Sequence, residues 1–282
     1  MSLRIISTII ALSTIAFSAA NAQLLARDTA AGDSQQEFAK RVSSVRNDAI
    51  STSVREAEKT GWNIYRYEVL SDLAGAFLAQ QTPPDKRAGI SGSIVVNGAK
   101  GWSVRFYSVA GKGMFKPVAD VVFDEDMNPG LKTGTDLADF SPAELASIGA
   151  KVLIDTQKED PCQGNYKMFA IPASSGDSIW VYQIRESFDE THFPEGQHIR
   201  YEISPDGSRI LSQRDYSRRC NVLPVQKSSD NVSSEVKLTN TIDQQPTEML
   251  VYLSLRYNTS IFVATMQSNL YWQVKSGVVT PD

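Results

Sequence analysis

The sequence predicts an α+β fold, predominantly antiparallel β-sheet with helices packed on one face. Three observations carry that prediction. Segments whose apolar residues recur every three or four positions are followed by segments in which apolar residues alternate. The alternating segments are separated by tight-turn chemistry, including Asn97-Gly98, Gly111-Lys112-Gly113 and Pro205-Asp206-Gly207. Hydrophobic residues make up 41% of the 282, enough to fill a core, so disorder is not the expectation.

The chain opens on Arg4, an apolar run from Ile5 to Phe17, and the small-residue triplet Ala20-Asn21-Ala22 before Gln23. That charged, greasy, A-x-A order is a secretory signal peptide, cut between Ala22 and Gln23. The run is shorter than the about 20 apolar residues of a spanning helix. No cysteine at the cleavage point could take a lipid. The expectation is an exported soluble protein with no stable membrane insertion after cleavage, periplasmic if the source is Gram-negative and extracellular otherwise. The predicted division is 1–22 signal peptide, 23–36 flexible segment, 37–135 N-terminal α+β half and 136–282 C-terminal α+β half.

From Glu37 the spacing of Phe38, Val42, Val45, Ala49 and Val54 predicts a helix that Gly61 stops. A second helix is predicted over 67–80, carrying Leu70, Leu73, Ala74, Phe77 and Leu78. Thr82-Pro83-Pro84-Asp85 breaks the chain, and strands are expected over 94–96, 102–109 and 115–123. Ser141-Pro142-Ala143-Glu144 is the best-specified local signal: serine caps, proline takes the first helical position, and glutamate reaches back to the cap amide. The helix it starts should run over 142–156 with Leu145, Ile148, Val152 and Leu153 inward. Strands over 166–171 and 179–186 precede a hairpin of 198–204 and 208–213. An exposed polar loop is expected over 227–237, then a closing antiparallel set of 249–256, 261–266 and 270–274. Helix-then-strands order over 37–123 returns over 141–213, a tandem pseudo-repeat.

The two cysteines, Cys162 and Cys220, are expected to pair in an oxidising compartment. Closing a loop of that length restricts the unfolded chain by about 4 kcal/mol in the chain-entropy picture. No C-x-x-C exists to support disulfide exchange. With 28 basic and 32 acidic residues the chain is mildly acidic, and cleavage removes Arg4 but no acid. That balance argues against a nucleic-acid partner, and the short cluster from Arg214 to Arg219 reads as a solvated strand end.

Chemical motifs are few. Asp124, Asp126 and Asn128 match the start of a calcium-binding EF-hand loop. The match then lapses, because proline follows Asn128, glycine falls seventh and Thr135 stands where a bidentate glutamate belongs, so a polar turn is the expectation. Ser234-Glu-Val-Lys237, Ser229-Asp230-Asn231 and Lys132-Thr133-Gly134 spell the three strings of serine β-lactamases and penicillin-binding proteins. Their order is reversed, Ser234 falls in the polar loop, and no strand is expected to frame Lys132. The two histidines, His192 and His198, lie with Glu190 and Glu195 in a segment whose spacing matches no common zinc site. Either histidine could serve as a general base if a hydroxyl or carboxylate stood beside it. Trp102, Trp180, Trp272 and the strand tyrosines could line a binding groove, but such aromatics are more often core or cross-strand pairs, which is the expectation here. The hairpin from Gln197 to Leu211 resembles the strand–turn–strand end of PepSY-type exported domains over fifteen residues, a motif common to many hairpins.

No catalytic, cofactor or metal residue is assigned on this reading. The leading expectation is a non-enzymatic binding or interaction module for an unknown protein or small-molecule ligand. The alternatives are an exported hydrolase assembled from distant residues and an envelope structural or assembly factor working through sheet edges.

Overall fold

A computed structural model describes residues 35–282 except 100, 112, 158–161, 163, 174, 188–191, 218 and 228–233. The predicted signal peptide, its predicted cleavage point at Ala22 and Gln23, and the first part of the predicted flexible segment lie outside the described residues. The chain divides into two units, Met1–Ser53 and Val54–Asp282. In the first, residues 35–53 are the opening stretch of a helix, α1 (Gln35–Gln81), where the Ser53 hydroxyl donates to the Ile50 carbonyl at 3.3 Å. The second unit carries the remainder of α1 and every other described element.

The sequence reading placed a stop at Gly61; the structure runs one helix straight through it. A Cβ at Gly61 would lie 2.5 Å from the Val251 Cβ and 2.7 Å from the Glu248 carbonyl oxygen. The glycine is there for a close crossing with a later helix, and it costs the helix about 1 kcal/mol that packing recovers. Val54, Ala57, Ile64, Tyr67, Leu70, Ala74 and Leu78 are buried along one stripe of α1, whereas Leu73 is exposed.

After the single-turn α2 (Pro84–Arg87) comes an antiparallel meander of β1 (Gly92–Gly98), β2 (Gly101–Ala110), β3 (Met114–Phe123) and β4 (Pro129–Thr133). β4 was not foreseen, because its Pro-Gly-Leu-Lys-Thr sequence has little strand character and only an edge position lets it pair. Helix α3 (Pro142–Thr156) begins with the predicted capping box: the Ser141 hydroxyl accepts from the Glu144 amide and Glu144 Oε2 accepts from the Ser141 amide at 2.7 Å. Of the predicted inward positions Ile148 is buried and Val152 and Leu153 are half-buried against the core, whereas Leu145 is exposed; Ala146, Ala150 and Ile154 are buried as well. The reason is that α3 serves two sheets. Ala146, Ala150 and Ile154 pack on Ala170, Ile179, Val181 and Ile203, while Ile148 packs with Ile94, Tyr107 and Phe140 of the first meander's side.

The second antiparallel sheet has the order β5 (Tyr166–Pro172), β6 (Ile179–Arg185), β8 (Ile199–Ile203), β9 (Ile210–Asp215). Short β7 (His192–Pro194) pairs instead with β10 (Val222–Pro224). The last sheet runs β11 (Gln226–Lys227), β12 (Ser234–Asn240), β13 (Thr259–Thr265), β14 (Leu270–Lys275), β15 (Val278–Pro281). Two expectations fail here. The predicted polar loop ends in β12, and the predicted strand over 249–256 is helix α4 (Glu248–Arg256). β12 and β13 are therefore parallel, joined across α4, and the closing set is mixed rather than antiparallel. Burial on nearly all sides of α4 (Met249, Val251, Tyr252 and Leu253 are all at or below 2% exposed) gives a continuous apolar run that hides helical period.

From Val54 onward α1 reaches all three large sheets. Tyr67 stacks edge-on against Trp102 of β2, Glu68 meets Lys167 of β5 at 2.8 Å, and Glu58 accepts from the Val279 amide of β15 at 2.7 Å. Among the described residues no helix is long and apolar enough to cross a membrane.

Candidate functional site

A cleft of about 490 Å³ opens between the ends of β9 and β12 and the first turns of α4. Its floor is apolar, from Leu238, Met249, Leu250, Leu253 and Val263. Its polar lining comes from Glu195, His198, Gln213, Asp215, Ser217 and Arg219 on one side and from Thr239 to Thr241 on the other.

The wall that carries Ser217 and Arg219 is pinned from behind. Cys162 and Cys220 form the expected disulfide, with Cα atoms 5.4 Å apart. The Cys220 carbonyl accepts from Arg185 at 2.9 Å, and the Glu195 amide donates to the Asn221 carbonyl at 3.1 Å. Gly196 lies so near this wall that a Cβ on it would fall 1.6 Å from the Arg219 carbonyl oxygen. A second tie closes the other end, where Arg214 of β9 meets Asp243 beyond β12 at 2.7 Å. Asn240 turns the chain there by accepting from the amides of Ile242 and Asp243.

Of the candidate residues of the sequence reading, Glu195 lines the cleft, and so does His198. Its Nε2 lies 2.7 Å from the Pro194 carbonyl oxygen, which can only accept, so the ring proton sits on Nε2. Burial pushes its pKa down to about 4, partly offset by the Pro194 carbonyl, and the Arg185 charge adds to the fall. The ring is neutral at pH 7 with a bare lone pair on Nδ1. That atom and the neighbouring Gln197 Oε1 are buried with no hydrogen-bond partner among the described residues. The carboxylate or hydroxyl that a general base requires is absent from the hydrogen bonds His198 makes.

A buried carboxylate lies behind the cleft. Glu248, the first residue of α4, accepts from Arg200 at 2.7 Å and from the Tyr182 and Tyr216 hydroxyls. Burial and then the Glu248 charge raise the pKa of both tyrosines, so they stay protonated donors. Arg200 also lies over the Trp180 ring at 4.6 Å. This saturated cluster holds the start of α4 against the second sheet, fixing one end of the cleft floor.

The remaining predicted residues lie elsewhere. His192 is an exposed residue of β7; Glu190 is outside the described residues. Asp124, Asp126 and Asn128 belong to the β3–β4 turn, where both Asp124 oxygens accept from Asn128 and hold its carboxyl below the usual range. Ser234 opens β12, its hydroxyl bonded to Thr259 and the Asn258 carbonyl, and Lys132 with Thr133 sits in β4, so the polar loop and the unframed lysine are both corrected. Ser229, Asp230 and Asn231 fall outside the described residues. Trp102, Trp180 and Trp272 make ring or core contacts away from the cleft.

The sequence reading missed most of the lining. The expected strand over 249–256 covers Met249, Leu250 and Leu253, Leu238 carries no sequence signal, and Arg219 falls in the cluster expected to be solvated. The Asn240–Asp243 turn chemistry was the available signal. Comparison with protein-family models, curated proteins and solved structures finds no match, for the PepSY-like hairpin or for any other part of the chain.

Proposed function

We propose that this chain is an exported, non-enzymatic binding protein that holds its ligand in the cleft between β9, β12 and α4. The observation that carries the reading is the cleft itself. It is of ligand-binding size and combines an apolar floor with a larger set of polar groups, so it offers both burial and hydrogen bonding to a ligand. The one imidazole on its lining is neutral and paired only to a backbone carbonyl, which favours holding a ligand over hydrolysing it. Export is supported by the leader-like first 22 residues and by a disulfide of the sort that oxidising compartments maintain.

Two experiments test this. N-terminal sequencing of the exported protein should begin at Gln23; cytosolic material still starting at Met1 overturns export. A fragment screen by ¹H–¹⁵N NMR should yield ligands that shift Gln213–Arg219 and Leu238–Leu253 together, and Leu250→Trp, filling the floor, should abolish those shifts. Ligands that bind with these signals unmoved would place the site elsewhere.

A further inference from the structure

The two walls of the cleft are strand edges. β9 is the outer strand of its sheet. The Tyr216 amide donates to the His198 carbonyl, and antiparallel pairs alternate between bonded and non-bonded. The main-chain groups of Gln213 therefore point away from β8, toward the open side. On the other wall, the Met266 amide donates to the Asn240 carbonyl, so Asn240, Leu238 and Val236 are the β12 residues that bond to β13. The main-chain groups of Lys237 and Thr239 point the other way. There β11 reaches only Ser234 and Glu235. Gln213 and Thr239 both line the cleft.

Resting on the binding reading above, we infer that the ligand is an extended peptide segment, added as a strand along these edges, with alternate apolar and basic side chains. The edges supply main-chain donors and acceptors that a globular ligand could not satisfy in register. Leu238, Leu250 and Leu253 give the cleft apolar surface on which every second side chain of such a segment can rest. The charges select the remainder: among the described residues the charged lining is the carboxylates of Glu195 and Asp215 and the guanidinium of Arg219, so a lysine-bearing segment is complementary and an acidic one is repelled.

The test is titration of the exported protein, disulfide intact, with acetyl-Val-Lys-Leu-Lys-Val-amide, followed by ¹H–¹⁵N NMR at pH 7. The amides of Gln213 and Thr239 should shift, and the glutamate counterpart should bind at least five-fold more weakly. Methylating the backbone nitrogen of the central leucine should weaken binding at least ten-fold with the protein unchanged. Thr239→Pro, which deletes one outward N–H at an edge where proline is tolerated, should do the same, and Thr239→Val should not. If Thr239→Pro does not fold, the methylated peptide decides. Still signals at both edges, indifference to methylation, or equal binding of the acidic peptide overturns strand addition. Non-peptide fragments that shift the cleft while all peptides are silent would overturn it and leave the binding reading standing. Silence of both classes removes both.

Discussion

Arg105 and His198 are both buried nitrogen-bearing side chains, at 5% and 0% exposure, and they are partnered in opposite ways. Arg105 on β2 donates to Asp120 at 3.0 Å and Glu144 at 2.9 Å, reaches the Ala138 carbonyl, and stacks over Phe140 at 4.6 Å. Burial opposes its charge, but the bonds to Glu144 and Asp120 more than offset that and raise its pKa. His198 has one nitrogen bonded and the other bare, and it lines a cleft. A saturated buried group ties elements together, here β2, β3 and the cap of α3. An unsaturated one makes no such tie and leaves its lone pair costly in the interior. The contrast separates a buried group that binds the scaffold together from one that burdens it.

The largest break in the comparison should come from Arg105→Met. Removing the cation strands two carboxylates, one of them the Glu144 of the α3 cap, and a loss of about 3–5 kcal/mol is expected in urea unfolding. His198→Leu at pH 7 should cost far less. Equal losses would mean that His198 is scaffold too.

The disulfide comes next. Cys162→Ser with Cys220→Ser should lower unfolding stability by about 2–4 kcal/mol. It should also disturb the NMR signals of Ser217 and Arg219 more than those of Thr239, because only the first wall is pinned by it. A uniform change across both walls would contradict the anchoring role.

The pH dependence sharpens the His198 side. Its folded pKa, about 4, lies below the ordinary 6.5, so on acidification the unfolded chain takes up the proton first. The stability is complete above about pH 6.5 and is lost as pH falls toward 4, by on the order of 3 kcal/mol. His198→Leu should flatten that window. An unchanged slope would mean that the imidazole titrates normally and is not sealed.

The same distinction between filled and open surroundings governs what could be read from the sequence. Where a local interaction decides structure, the residues show it: the capping box at Ser141 and Glu144 and the Asp206-Gly207 hairpin are where the pattern puts them. Where tertiary contact decides, local pattern misleads. Gly61 looks like a stop because its reason, Val251, is nearly two hundred positions away. Residues 249–256 look like a strand because burial around the helix erases its polar face. The cleft inherits that second error, since α4 is its floor. The side chains that line it come from stretches far apart in the chain, and no spacing rule links them.

Paired glycines on α1 give the smallest and most discriminating test. Gly61 and Gly75 sit in one helix, and alanine should gain each about 0.5–1 kcal/mol of helix propensity. At Gly75 nothing lies within 4 Å of the added Cβ, so Gly75→Ala should stabilise by that amount. At Gly61 the Cβ meets Val251 and the Glu248 carbonyl, and overpacking of about 1–3 kcal/mol should reverse the sign. The clash falls on the start of α4, where Glu248 holds Tyr216 and Arg200. Gly61→Ala should therefore also move the NMR signals of Met249 and Leu250 in the cleft, while Gly75→Ala leaves them in place. Stabilisation by both alanines would mean that the α1–α4 crossing is looser than its geometry and that the cleft floor is not set by it.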